Sequence, residues 1–372
     1  MRPLTGFLAL LLLVPSLGAP HRDDEKRRQQ SESDTKLGRD YVTELEKELK
    51  LSEDAEAIAR VQRIGSEFAE IANTHHFGAT YGDRNHHKFE YTFKVIEDND
   101  VNAFSVPGGF IYIYRGLLNE VESDDELAAV IAHEVAHAAN RHVVTLIKER
   151  SRVELLTLPV IIAAILAGGQ AAPGIVTAAQ ALQQSLTSGW SQSAELDADR
   201  TGFFYMTKSS FHPVAMLTFL ERLAFKEKTS PRIEWGIFRT HPPSSARARK
   251  LIDLLNENSI PIERSKVTVS FAAVAEKLED GVLVKFGGRT LFILRGSEAE
   301  QRSQAAVAAL NQFFDSVPEA FQARAVGARL IGRNQTLVEF TSEDAEDPVA
   351  LAATALEAIK AASFSLSMRI SR

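Results

Sequence analysis

The chain has 372 residues, room for two domains that each bury a sizeable core, and its 45% apolar and 24% charged composition is that of a soluble globular protein. With 42 basic against 49 acidic side chains the formal charge is −7, which gives no reason to expect nucleic acid or an anionic membrane surface as a partner. Cysteine is absent, so disulfides, thiolate metal sites and cysteine nucleophiles are excluded, and any metal has to be held by histidines and carboxylates.

Residues 1–18 read as a secretory signal peptide: Arg2 supplies a positive start, Leu4 to Val14 an apolar run, and Ser16-Leu17-Gly18 a small-residue cleavage site. Export of a cysteine-free chain fits a bacterial periplasm or exterior. Residues 19–50 are highly charged and nearly devoid of apolar side chains at their start, which predicts a flexible tether. A first domain is expected over 51–262. It opens with a helix over Leu51–Thr74, where Ile58, Val61, Ile64, Phe68 and Ile71 recur at helical spacing. Lys88–Ile96 alternates Phe89, Tyr91, Phe93 and Val95 and predicts a strand. Two more strand-like runs between Asn102 and Leu118 flank the turn Pro107-Gly108-Gly109. His75, His76, His86 and His87 lie in polar loop sequence and read as surface residues.

Ser123–Glu149 predicts one long amphipathic helix, with Ser123 and Glu126 as a capping box. Within it stands His133-Glu134-Val135-Ala136-His137, an H-E-x-x-H. Residues four apart lie one above the other on a helix, so both imidazoles can reach one ion, with Glu134 poised to touch a water. Such a cluster among Ala, Val and Ile is costly without a cation. His142, five residues on, is expected to point elsewhere and make a structural hydrogen bond. The apolar stretch Leu155–Ala179 is broken by Pro159, Gly168-Gly169 and Pro173-Gly174, and reads as a core helix or an apolar flap, with peripheral membrane contact as the minority reading.

A second helix from Ser193 places Glu195 and Asp199 on one face and Asp197 away from it. Two histidines plus a glutamate, with water in the fourth position, make a catalytic zinc set. Asp199 would accept the spare ring N–H of a ligand histidine rather than ligate.

The combination of His133-Glu134-x-x-His137 with Glu195-x-x-x-Asp199 resembles the gluzincin metallopeptidases. In detail it is similar to the M48 peptidase family, which holds HtpX-like, BepA-like and OMA-type proteases and the CAAX prenyl endopeptidases. Asn102-Ala103-Phe104 and Thr240-His241-Pro242-Pro243 with Arg247 agree with it, so the likeness covers about residues 50 to 260. The resemblance implies one Zn2+ per chain on His133, His137 and Glu195, endopeptidase activity on proteins or peptides of the cell envelope, and Glu134 as general base. It further implies that Asn102 and Ala103 lie on a substrate-binding edge strand. It makes His241 a movable residue that stabilises the oxyanion or serves as a fourth ligand at rest. This chain lacks the membrane spans of HtpX-like members and the repeats of BepA-like ones, and has Gln192 where the family often has Arg.

Residues 267–372 predict a small α+β domain from two hairpin-plus-helix units, without a catalytic constellation. The expected architecture is α+β throughout: a mainly helical zincin-type domain with a small sheet, then this accessory domain. The competing functional reading is a zinc-binding chaperone or assembly factor working through its C-terminal module.

Overall fold

The helix that carries the H-E-x-x-H lies within the first core, packed by helices and strands from both sides of it in the sequence. A computed structural model describes residues 22–150, 190–230, 232, 235–243 and 245–370. The expected signal peptide (1–18) and the apolar stretch Leu155–Ala179 lie outside the described residues.

Helix α1 (Arg22–Glu48) is the first departure from the sequence reading, since a flexible tether was expected there. The stripe that docks it is mostly polar or small: Ser31, Asp34, Gly38 and Val42, three or four apart, are buried. A periodicity of apolar residues misses such a face. Gly38 lies so close to the Pro107 carbonyl that a Cβ would stand 1.8 Å from its oxygen. Asp34 forms a two-pronged ion pair with Arg141, whose third nitrogen reaches Asp83.

Helix α2 (Ala55–Thr74) is capped by Asp54, which accepts from the N–H groups of Glu56 and Ala57, and buries Val61, Ile64, Phe68 and Ile71 as its spacing predicts. The first sheet has the order β1 (Thr92–Ile96), β3 (Phe110–Tyr114), β2 (Ala103–Val106). β1 runs parallel to β3, and β2 pairs antiparallel with it across the Pro107–Gly109 turn. Strand alternation splits the sheet's faces. Ala103, Ile111 and Ile113 join the main core, while Phe104, Val106, Tyr112 and Tyr114 meet α1.

After the short α3 (Arg115–Glu120) comes α4 (Asp124–Ala139), in which every residue from Glu126 to Ala139 is buried. It is therefore not amphipathic as expected. Six alanines allow α2, the sheet and two later helices to approach from all sides. Ser123 does cap it, accepting from the Glu126 N–H. The carboxylate of Glu126 turns instead to the Glu122 N–H, Thr218 and Arg222. Nor is the helix continuous. Arg141, at φ 56, breaks it, and α5 (His142–Arg150) starts in a new direction.

The remaining core helices are α6 (Trp190–Met206), α7 (Val214–Thr229), α8 (Gly236–Thr240) and α9 (Ser245–Glu257). The first core ends at Val267 and a second begins at Phe271. This second unit repeats one plan. Strands β4 (Ala273–Leu278), β5 (Gly281–Phe286) and β6 (Arg289–Leu294) form an antiparallel meander followed by α10 (Ala299–Asp315). Strands β7 (Ala323–Val326), β8 (Arg329–Gly332) and β9 (Gln335–Glu339) are followed by α11 (Pro348–Arg369). Both meanders carry an irregularity in their second pairing, at Val284/Lys285 and Leu330/Ile331. Each expected hairpin thus has a third strand before it. α11 is long and apolar enough to cross a membrane, but it lays Ala352, Ala355, Ile359, Ala362 and Leu366 into this core.

The docking of α1 is testable. Asp34→Ala removes the main partner of a buried guanidinium and is expected to cost about 3 kcal/mol, read from urea unfolding. An unchanged midpoint, with rapid proteolysis before residue 50, would show the helix to be undocked.

Candidate metal centre

Helix α6 crosses α4 more intimately than any other helix, and the crossing point carries the ionisable groups. His133 and His137, one turn apart on α4, turn Nε2 toward Nε2 at 3.0 Å. From α6, Glu195 brings its carboxylate oxygens to 3.3 Å from each of these nitrogens. His241, at the C-terminal end of α8, adds Nδ1 at 3.3 Å from His133 Nε2 and 3.2 Å from Glu195. Donors bonded to a tetrahedral zinc ion at about 2.0–2.1 Å stand about 3.4 Å from one another. The contacts among His133, His137 and Glu195, and those of His241 with His133 and Glu195, are 3.0–3.3 Å, and all four donors lie within 4.8 Å of one another, so the residues present fit a metal ion.

The outer contacts agree with ligand duty. His133 presents Nδ1 to Asp199 at 3.0 Å, the partner expected for a ligand imidazole. Asp199 is in turn gripped by Arg247, whose Nε and Nη2 donate at 2.7 and 2.8 Å, while Nη1 stands 3.0 Å from Glu195. Burial opposes the charge of His133, yet Asp199 and Glu195 outweigh it and raise its pKa to about 9. Burial takes His137 the other way, to about 3, leaving the neutral imidazole that ligation requires. Burial also works against the charge of Glu195, but His241 and Arg247 hold its pKa well below the usual range.

Glu134 lies beside the cluster without joining it. One oxygen stands 3.2 Å from His241 Nε2, and the other is buried with no hydrogen-bond partner among the described residues. Next to it a narrow pocket of about 50 Å³ is walled by Ala129, Val130, Met216, Leu220, Leu223 and Ile237.

Asn102 and Ala103 are placed differently from a simple substrate ledge. Both are buried, and the Asn102 side chain accepts from the Ala103 N–H and from the Thr240 hydroxyl. It thereby fastens the residue before His241 to β2, which is an edge of its sheet. Of the four loop histidines, His75, His76, His86 and His87, none joins the cluster. His87 is buried against Ser31 and Asp83 rather than exposed, and His76 stacks on His86.

His142 makes the structural hydrogen bond expected of it, to Asp197, but does not point away from His137. In a continuous helix it would stand roughly 140° round from His137. The break at Arg141 brings it back instead, and its Nδ1 lies 2.9 Å from His137 Nδ1. The signal available was Asn140, a residue that favours helix ends.

The profile of Peptidase family M48 matches residues 59–254, just over half of the chain, and the chain belongs to that family. It is similar to the beta-barrel assembly-enhancing protease of Escherichia coli K12, 31% identical over 163 residues, 43% of this chain and 33% of that protein. Metalloprotease LoiP of the same organism is 32% identical over 169 residues, 45% of this chain and 64% of LoiP. The mitochondrial metalloendopeptidase OMA1 of Schizosaccharomyces pombe is 31% identical over 176 residues, 47% of this chain and 50% of OMA1. The chain thus spans about a third of the beta-barrel assembly-enhancing proteases it matches.

Burial disfavours the Asp199 carboxylate, but Arg247 and His133 more than compensate and bring its pKa to about 2. Because the folded value lies below the unfolded one of about 4, its stabilisation is present above that pH and lost as pH falls through about 2. In metal-free protein Asp199→Asn should cost about 2 kcal/mol at neutral pH and flatten the stability profile between these limits. Urea unfolding at several pH values measures both, and equal stability at pH 7 would contradict the assignment.

Proposed function

We propose that this chain is a zinc-dependent metalloendopeptidase that cleaves proteins of the cell envelope, in the manner of a quality-control protease. The observation that carries the reading is the convergence of His133, His137, Glu195 and His241 within 4.8 Å of one another, beside a buried Glu134 oxygen that lacks a partner among the described residues. Membership in Peptidase family M48 supports the same chemistry. The relatives named for beta-barrel assembly support a bacterial envelope setting.

His133, His137 and Glu195 would hold the zinc. Bound there, it supplies Lewis acidity at the scissile carbonyl and acidifies water. Glu134 takes the proton from the attacking water and returns it to the leaving amine as the C–N bond breaks. His241 has two roles open to it from one position. Its Nδ1 completes the donor set at rest, and when it swings clear its ring N–H can donate to the oxyanion. Asn102, through Thr240, sets where that swing begins. Arg247 offsets the charge of Glu195 and Asp199 in both states. The edge of β2, which pairs with no further strand among the described residues, offers backbone groups to an extended peptide. The pocket beside Glu134 takes a small or medium apolar side chain next to the scissile bond.

Glu134→Gln should lower cleavage of casein by on the order of 10³-fold while zinc stays bound. A chelator should abolish cleavage and added zinc restore it. Full activity in the mutant would end the reading. Met216→Ala widens the pocket, and mass spectrometry of casein fragments should show a shift toward larger apolar residues beside the cleaved bond. An unchanged preference would remove the pocket from substrate recognition.

A second reading, an assembly factor acting through residues 267–372, draws on the exposed Phe321 and Phe364 of that unit. It prevails if Glu134→Gln supports the cellular role and deletion of 268–372 does not.

A further inference from the structure

The two ligand histidines reach their outer carboxylates by different routes. His133 meets Asp199 directly, whereas His137 meets Asp197 through a second imidazole. His137 Nδ1 stands 2.9 Å from His142 Nδ1, and His142 Nε2 stands 3.1 Å from Asp197 Oδ2. All three residues are buried. We propose that His142 and Asp197 are positioning residues: a relay that holds His137 in the Nδ1–H tautomer, with its Nε2 lone pair turned to the metal. The inference rests on the reading that the cluster binds zinc.

The argument is one of donors and acceptors. An ionised carboxylate only accepts, so His142 Nε2 must carry the proton it shares with Asp197. A neutral His142 then has a bare Nδ1, which can only accept, and His137 Nδ1 must donate to it. The lone pair of His137 is thereby left at Nε2, the atom that faces His133 and Glu195. The far end of the relay has no freedom to reverse. Every other contact of Asp197 is also a donor: Asn140 Nδ2 on Oδ2, and the Thr80 N–H and hydroxyl with the Tyr81 N–H on Oδ1.

The His142 ring is also held in place. Tyr81 lies against it, and Gly82, at φ 89, comes so close that a Cβ would stand 2.9 Å from His142 Cδ2 and 2.3 Å from the Asn140 oxygen. Arg141, in the left-handed region and clamped between Asp34 and Asp83, makes the reversal that returns His142 to His137. The loop at 80–83 and α1 thus act on the site through one imidazole, although neither supplies a ligand.

The test uses the full chain and zinc alone, with dissociation constants from competition with a chromophoric chelator. Wild type should bind one zinc ion; failure to bind sinks the reading of the site and not merely the relay. Asp197→Asn is isosteric but can set an N–H against His142, which flips both imidazoles. It should weaken zinc binding about 10- to 100-fold, as should His142→Phe. His142→Gln keeps one acceptor and one donor and should restore most of the affinity. In zinc-free protein, long-range ¹H–¹⁵N correlations should show His137 as Nδ1–H in wild type and Nε2–H in Asp197→Asn. The relay is overturned if Asp197→Asn binds zinc like wild type, if the Gln variant is as weak as the Phe variant, or if wild-type His137 is the Nε2–H form. Should His142→Phe not fold, the isosteric Asp197→Asn and the tautomer measurement decide the matter.

Discussion

The crossing of α4 and α6 imposes the constraint from which the rest follows: imidazoles and carboxylates are buried there with almost no water to solvate them. Charge and polarity in such a place persist only if each group has a partner. Asp199 has Arg247 and His133, Glu195 has Arg247 and the imidazoles, and Asp197 has five donors. The exception is the inner oxygen of Glu134, which is buried without a hydrogen-bond partner among the described residues.

That constraint explains why distant segments converge on one helix. The supports around the cluster come from α1 through Asp34 on Arg141, from the loop at 80–83 through Thr80 on Asp197 and Asp83 on Arg141, and from α9 through Arg247 on Glu195 and Asp199. None of these segments provides one of the four clustered donors. Each fixes a side chain around them, as the outer contacts of metal sites fix ring orientation and basicity.

The C-terminal unit follows a different logic. Its two meanders and two helices share one core, with α10 lying on the first meander and β9, and α11 on the second meander and β6. Neither half buries its apolar face alone, which accounts for two similar units in tandem. It meets the first domain through specific polar contacts rather than a shared core. Glu122 accepts from the Ser270 N–H, and Asp315 from the Ser265 N–H and hydroxyl.

That His133 and His137 share a face, and Glu195 and Asp199 another, was legible because helical spacing alone decides which side chains share a face, whatever the fold does around them. The hairpin at Pro107–Gly109, the Ile64 and Phe68 face of α2 and the two C-terminal helices were legible for a similar reason, since short-range pattern and turn chemistry determine them. Other features depended on where the chain goes next. Asp34 and Ser31 are polar, so nothing local marks them as a docking stripe until Arg141 and His87 stand opposite. His142 belongs to the site only because Arg141 takes a left-handed conformation, and a local spacing rule assumes that the helix continues. Local sequence therefore determined which atoms could ligate a metal. Tertiary packing decided which partner each imidazole meets on its other nitrogen, because that partner is brought from about 60 residues away in the chain.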